Sequence, residues 1–211
     1  MATASALQKW AEERCAALDS LVNVHGKVTG KRRGRQRATE HLNRALFVAL
    51  SAEFQGFCRD LHEDAAIHIT ESINLMPENA KIAPVVLNAL VRERSLSAST
   101  KSQKERRLDT GNANVDALAT DYSMLGMDLW ADLSNRYPAK TPKWKTNLNR
   151  LNDVRNGVAH SDAAKLVRAH REHGLTLATF RHWRSSLNGA VYAMDKVVGT
   201  YLWDLTGSEP W

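Results

Sequence analysis

Apolar residues return at steps of three and four along most of this chain, the period of one face of an α-helix, and nowhere in strict alternation. Leu7, Trp10, Ala11, Leu18 and Leu21 predict a first helix over about residues 4–24, with all five side chains inward. Leu42, Leu46, Ala49, Leu50, Phe54, Phe57, Leu61, Ile69 and Ile73 mark a long second helix, with Thr39 as a candidate cap and Pro77 as its stop. Pro84 suits the first turn of a short helix over 83–92. Leu118, Tyr122, Leu125, Leu129 and Leu133 predict one helix over 115–136, capped by Asn114. Trp144, Leu148, Leu151, Val154 and Val158 place another over 146–160 after a linker, "YPAKTPKW". Phe180, Trp183, Leu187, Val191, Met194, Val198, Tyr201 and Leu205 run down the last, over 177–205.

This pattern predicts an all-α protein, a helical bundle of five or six main helices in a single domain over 1–211. Residues 1–37 would be an N-terminal helix and basic loop, and 38–205 the core bundle. The Ser-rich stretch near 93–113 has no apolar face and predicts a long mobile loop.

Composition narrows the class. With 43% hydrophobic and 25% charged residues, the chain has the balance of an ordinary globular protein. No run approaches the roughly 18 apolar residues of a membrane span, and the N-terminus carries charges where a signal peptide would be apolar. Cys15 and Cys58 are too few for a disulfide scaffold or a cysteine zinc site. The expectation is a cytoplasmic protein, without membrane contact, whose two thiols are reduced core residues.

The net charge of +6 suits a polyanionic partner. "HGKVTGKRRGRQR", from His25 to Arg37, contains no acid, and its Lys31, Arg32, Arg33 and Arg35 are candidate RNA-binding residues. A flexible arm of this kind would neutralise phosphates and make binding steeply salt-dependent. The competing reading is a solvated interhelical loop.

The candidate chemistry lies in "LNDVRNGVAH", residues 151–160, where an apolar-periodic helix runs out in Arg155, Asn156 and His160. Histidine exchanges protons near neutrality, and the planar fork of arginine matches two phosphate oxygens. RNA supplies its own nucleophile, the 2′-hydroxyl. An imidazole to take its proton and an arginine on the pentacoordinate phosphate suffice for strand cleavage without a metal. Asn156 and His160 share a helical face, whereas Arg155 and His160 diverge by about 140° on an ideal helix. A frayed helix end or a second copy of the chain would have to unite them. Arg168 and His173 repeat the spacing in "RAHREH", within a polar stretch that reads as a surface helix.

"RNGVAH" after an amphipathic helix resembles the signature of HEPN domains, all-helical proteins of prokaryotic toxin and defence systems. "ATEHLNRALFVALSAEFQGFCRDLHEDA" and "GNANVDALATDYSMLGMDLW" are similar to helices of the RiboL-PSP-HEPN group, so the resemblance spans about 42–205. It implies a metal-independent endoribonuclease acting as a homodimer on RNA, a toxin or phage-defence effector with a cognate antitoxin or defence-system partner. In such families the Arg and His of both protomers face one cleft. The resemblance makes Arg155 and His160 the catalytic pair, with Asn156 accompanying them. The alternative is a non-catalytic HEPN module that binds nucleotide, nucleic acid or a partner protein.

Glu53 falls on the apolar row of Leu46, Leu50 and Phe57, where an acid is costly unless paired. It is a candidate supporting residue that holds Arg155 or another arginine; the competing reading is that the edge of the stripe is exposed there. His170, Glu172 and His173 lack a third convincing ligand beside the two histidines, so neither a metal nor a cofactor is expected. Trp10, Trp144 and Trp183 read as core rather than as base-stacking platforms.

Overall fold

The computed structural model describes residues 5–29, 37–75 and 106–211, and among them it contains helices and no strand. In chain order these are α1 (Ala6–Lys9), a π-helical turn (Trp10–Arg14), α2 (Cys15–Thr29), α3 (Arg37–Leu75) and α4 (Arg107–Thr110). They continue as α5 (Val115–Met124), α6 (Leu129–Arg136), α7 (Thr141–Ala159), α8 (Ala163–His173) and α9 (Leu177–Thr206). The candidate arm, Lys31, Arg32, Arg33 and Arg35, the expected helix over 83–92 and the stop at Pro77 lie outside the described residues.

The long helices pack together through one hydrophobic cluster that runs from Ala6 to Leu205. α3, α7 and α9 form its centre. Phe54 and Phe57 of α3 sit edge-on against Trp10 at centroid distances of 6.4 and 5.9 Å. Phe47 meets Phe180 and Trp183 of α9 at 6.0 and 5.1 Å. Trp10, Trp144 and Trp183 are buried, as the pattern predicts. Of the two thiols, Cys58 is buried and its pKa is pushed well up by that burial, while Cys15 is only half-buried.

Several elements differ from the sequence expectation. The first helix extends to Thr29 and contains the π turn, in which Cys15 N–H donates to Trp10 O. Trp10 and Leu18 would stand about 80° apart on a regular helix. One extra residue in a π turn brings them to within about 20°, and both are buried. The cost falls on Leu21, which with Ala11 turns outward.

The expected helix over 115–136 breaks into α5 and α6. Gly126 adopts φ 80°, a conformation that glycine alone enters without strain. Asp128 then opens α6 by accepting from Ala131 N–H, as Asn114 opens α5 by accepting from Ala117 N–H. At its other end, α7 begins at Thr141 and absorbs part of the expected linker.

A further difference concerns the stretch read as a mobile loop. Its described part, from Arg106, is packed, with Leu108 and Ala113 buried. Buried Asp121 accepts from the backbone N–H groups of Arg107 and Leu108 at 3.0 and 2.8 Å. His62 Nε2 donates to Asp121 O at 3.0 Å, and burial lowers the His62 pKa. From α3, Gln55 donates to Leu108 O and Gly111 O at 2.8 and 2.6 Å, and Arg59 Nε to Leu108 O at 2.7 Å. These partners satisfy the polar backbone that composition alone assigns to solvent.

The last helix, α9, carries Asp195. Burial pushes its carboxyl up to about 6, a hydrogen bond from Trp211 partly opposes this, and the charge of Asp64 adds to the rise. The folded protein therefore binds this proton more tightly than the unfolded chain. The group's contribution to stability is most favourable below about pH 4 and is lost as pH rises through about 6. Asp195→Asn is expected to raise the melting temperature at pH 7.5, by about 1 kcal/mol of stability after solvent screening. At pH 4 it should change it little. Thermal melts at the two pH values check this.

Candidate active site at the end of the motif helix

The motif helix α7 buries Trp144, Leu148, Leu151 and Val154 and reaches its last turn with Arg155, Asn156 and Gly157. Gly157 sits at a close approach: a Cβ there would meet Leu166 Cδ2 of α8 at 3.0 Å, so the leucine side chain would have to give way. The absence of a side chain lets α8 fold back against α7 immediately after the motif.

The helix ends in a Schellman arrangement. Ser161 N–H donates to Val158 O at 3.2 Å and Asp162 N–H to Gly157 O at 2.9 Å. Ser161 occupies the left-handed position with φ 52°, where glycine is usual, at a cost on the order of 1–2 kcal/mol. Asp162 also starts α8 by accepting from Lys165 N–H. His160 is the C-cap between these anchors, its N–H donating to Asn156 O at 3.0 Å, and it is exposed. An exposed imidazole on a backbone held from both sides can exchange protons with a ligand at the surface.

Arg155 is half-buried. Its Nη1 donates to Asn156 Oδ1 at 3.3 Å, and among the described residues no acid forms an ion pair with it. The contact ties the guanidinium to Asn156, which lies one helical turn before His160. Backbone geometry alone separates Arg155 from His160 on the helix, and the side-chain hydrogen bond of Arg155 within the motif goes to Asn156.

Asn156 Oδ1 has a second donor, Asn112 Nδ2, at 2.6 Å. Asn112 lies on the packed segment before α5, and Asn152 of α7 holds the next residue by donating to Ala113 O at 2.8 Å. Sequence reasoning missed Asn112. It sits in a polar stretch without periodicity and, unlike Asn114, holds no position at a helix start that would mark it.

Glu53 is elsewhere. It pairs with Arg14 at 3.0 Å, and Arg14 also meets Asp60 at 2.8 Å. The acid on the apolar row therefore satisfies the arginine that α1 and its π turn carry inward, rather than Arg155. The second Arg/His spacing also resolves structurally. Arg168 and His173 line a recess of about 150 Å3 with Arg150, Lys165, Asp153 and Glu172, so its charge is mixed. His173 lies 3.6 Å from Glu172, with its ring edge-on to Trp183 at 5.9 Å.

Among the described residues no three His, Cys, Asp or Glu side chains are grouped to hold a metal ion. None of the described helices is long and apolar enough to cross a membrane. Compared with known proteins, the chain matches no family model, no curated protein and no solved structure.

Proposed function

We propose that this protein is a metal-independent endoribonuclease of HEPN type that acts as a homodimer, a cytoplasmic toxin or phage-defence effector with a cognate antitoxin or defence-system partner. One observation carries the reading. An arginine without an acidic counter-ion among the described residues is held on Asn156, at the helix end whose C-cap is the exposed His160. A guanidinium with no carboxylate on its fork keeps donors open for a phosphate.

In this reading His160 takes the proton from the 2′-hydroxyl as that oxygen bonds to the adjacent phosphorus. Arg155 stabilises the charge growing on the equatorial oxygens. The bond to the 5′-oxygen breaks, and that oxygen leaves with a proton from an imidazolium or water. The products are a 2′,3′-cyclic phosphate and a 5′-hydroxyl. A two-fold partner would bring a second Arg155 and His160 to the same cleft and supply a second acid–base group.

The test uses an RNA oligonucleotide whose cut site has been mapped, and a copy with a single 2′-deoxy sugar before the scissile phosphate. In excess EDTA the all-ribose strand is expected to be cut and to carry a cyclic phosphate, and the substituted strand to survive at that position. Cleavage that persists without the 2′-hydroxyl, or that vanishes with EDTA, overturns the mechanism.

A further inference from the structure

We infer that Asn112 is a positioning residue of this site: through its hydrogen bond to Asn156 Oδ1 it fixes the amide on which Arg155 is held, a role that rests on the RNA-cleaving reading above.

Chemistry settles the orientation of both amides. A guanidinium only donates, so the atom of Asn156 that faces Arg155 Nη1 is the oxygen. The atom of Asn112 that approaches the same oxygen at 2.6 Å must then be its nitrogen. With Oδ1 engaged twice, Asn156 keeps Nδ2 as its remaining donor, and that group has no protein partner among the described residues. Without Asn112 the Asn156 amide could turn and leave Arg155 facing a second donor. The guanidinium would lose its hydrogen bond to Asn156 and with it its fixed place at the helix end.

Asn112 can impose this because its own backbone is fixed. Gln55 grips Gly111 O, Asn152 grips Ala113 O, and Asn114 N–H donates to Asn112 O at 2.8 Å. The Asn112 Oδ1 is itself buried and has no protein partner among the described residues. A side chain present only to stabilise the loop would be expected to satisfy that acceptor. Here the amide nitrogen is directed at Asn156 although its oxygen is left unmet.

The experiment measures kcat and KM on the mapped RNA for the wild type, Asn112→Ala, Asn156→Ala and the double variant, with melting temperatures as a check on folding. Asn112→Ala is expected to lower kcat on the order of 10–10²-fold with KM little changed, the scale of a misplaced catalytic group. Because Asn112 acts through Asn156, the double variant should be no slower than Asn156→Ala alone. Asn112→Asp keeps the shape and removes the donor, so it should lose as much and serves if the alanine variant fails to fold. Independently of activity, the Asn156 side-chain amide resonances, assigned by their loss in Asn156→Ala, should shift in both Asn112 variants. Losses that multiply in the double variant, a change in KM alone, or an unmoved Asn156 amide overturn the role of Asn112 while leaving the endoribonuclease reading intact. A wild-type protein that cleaves no RNA, with the amide still shifting, overturns the reading itself and reduces Asn112 to a structural link.

Discussion

His160→Ala is expected to slow RNA cleavage by on the order of 10²–10⁴-fold, the range that general acid–base catalysis contributes. The melting temperature should scarcely move, because the side chain is exposed and the C-cap is held by backbone hydrogen bonds. Arg155→Lys is expected to fail as well, by on the order of 10²–10³-fold, the cost of removing one donor from a charge-stabilising site. Lysine keeps the charge but not the fork. One ammonium cannot both hold Asn156 Oδ1 and present two parallel donors to a phosphate. Single-turnover rates on the mapped oligonucleotide separate these losses from weakened binding. A His160→Ala protein that retains full rate would remove the imidazole from the mechanism.

The second large effect is on stability. Asp121→Ala is expected to cost about 3 kcal/mol, because it leaves two backbone N–H groups, of Arg107 and Leu108, without their acceptor. In a chain of this size that lowers the melting temperature by roughly 6–12 °C. The damage should be greatest around 106–113, the segment that carries Asn112, so RNA cleavage is expected to fall as well. Amide hydrogen exchange should show that segment opening before the core of α9. Uniform protection across both would mean that Asp121 supports the whole bundle instead of this one segment.

Much of the bundle was legible because burial on a helix is a local, periodic property. The stripe from Phe180 to Leu205 sits on α9 with nearly every member buried. The row from Leu46 to Leu61 does the same on α3. The break between α5 and α6 was not legible, since the apolar period continues through it from Leu118 to Leu133. Only the left-handed Gly126 and the cap at Asp128 interrupt it. The π turn is hidden for the same reason: the sequence period gives no sign of one residue taken up between Trp10 and Leu18.

By itself the sequence determined that the chain is helical, which faces of its long helices are buried, and that Arg155, Asn156 and His160 share one helix end. Each of these follows from neighbours within a few residues. The tertiary structure alone decided that Glu53 serves Arg14, that Arg106 to Ala113 is packed, and that Asn112 meets Asn156 across 44 residues of chain. Those pairings depend on how the first helix with its π turn, α3, α5 and α7 come together. A polar side chain carries no periodic signal of a partner so far away, because the hydrogen bond exists only after the helices have packed.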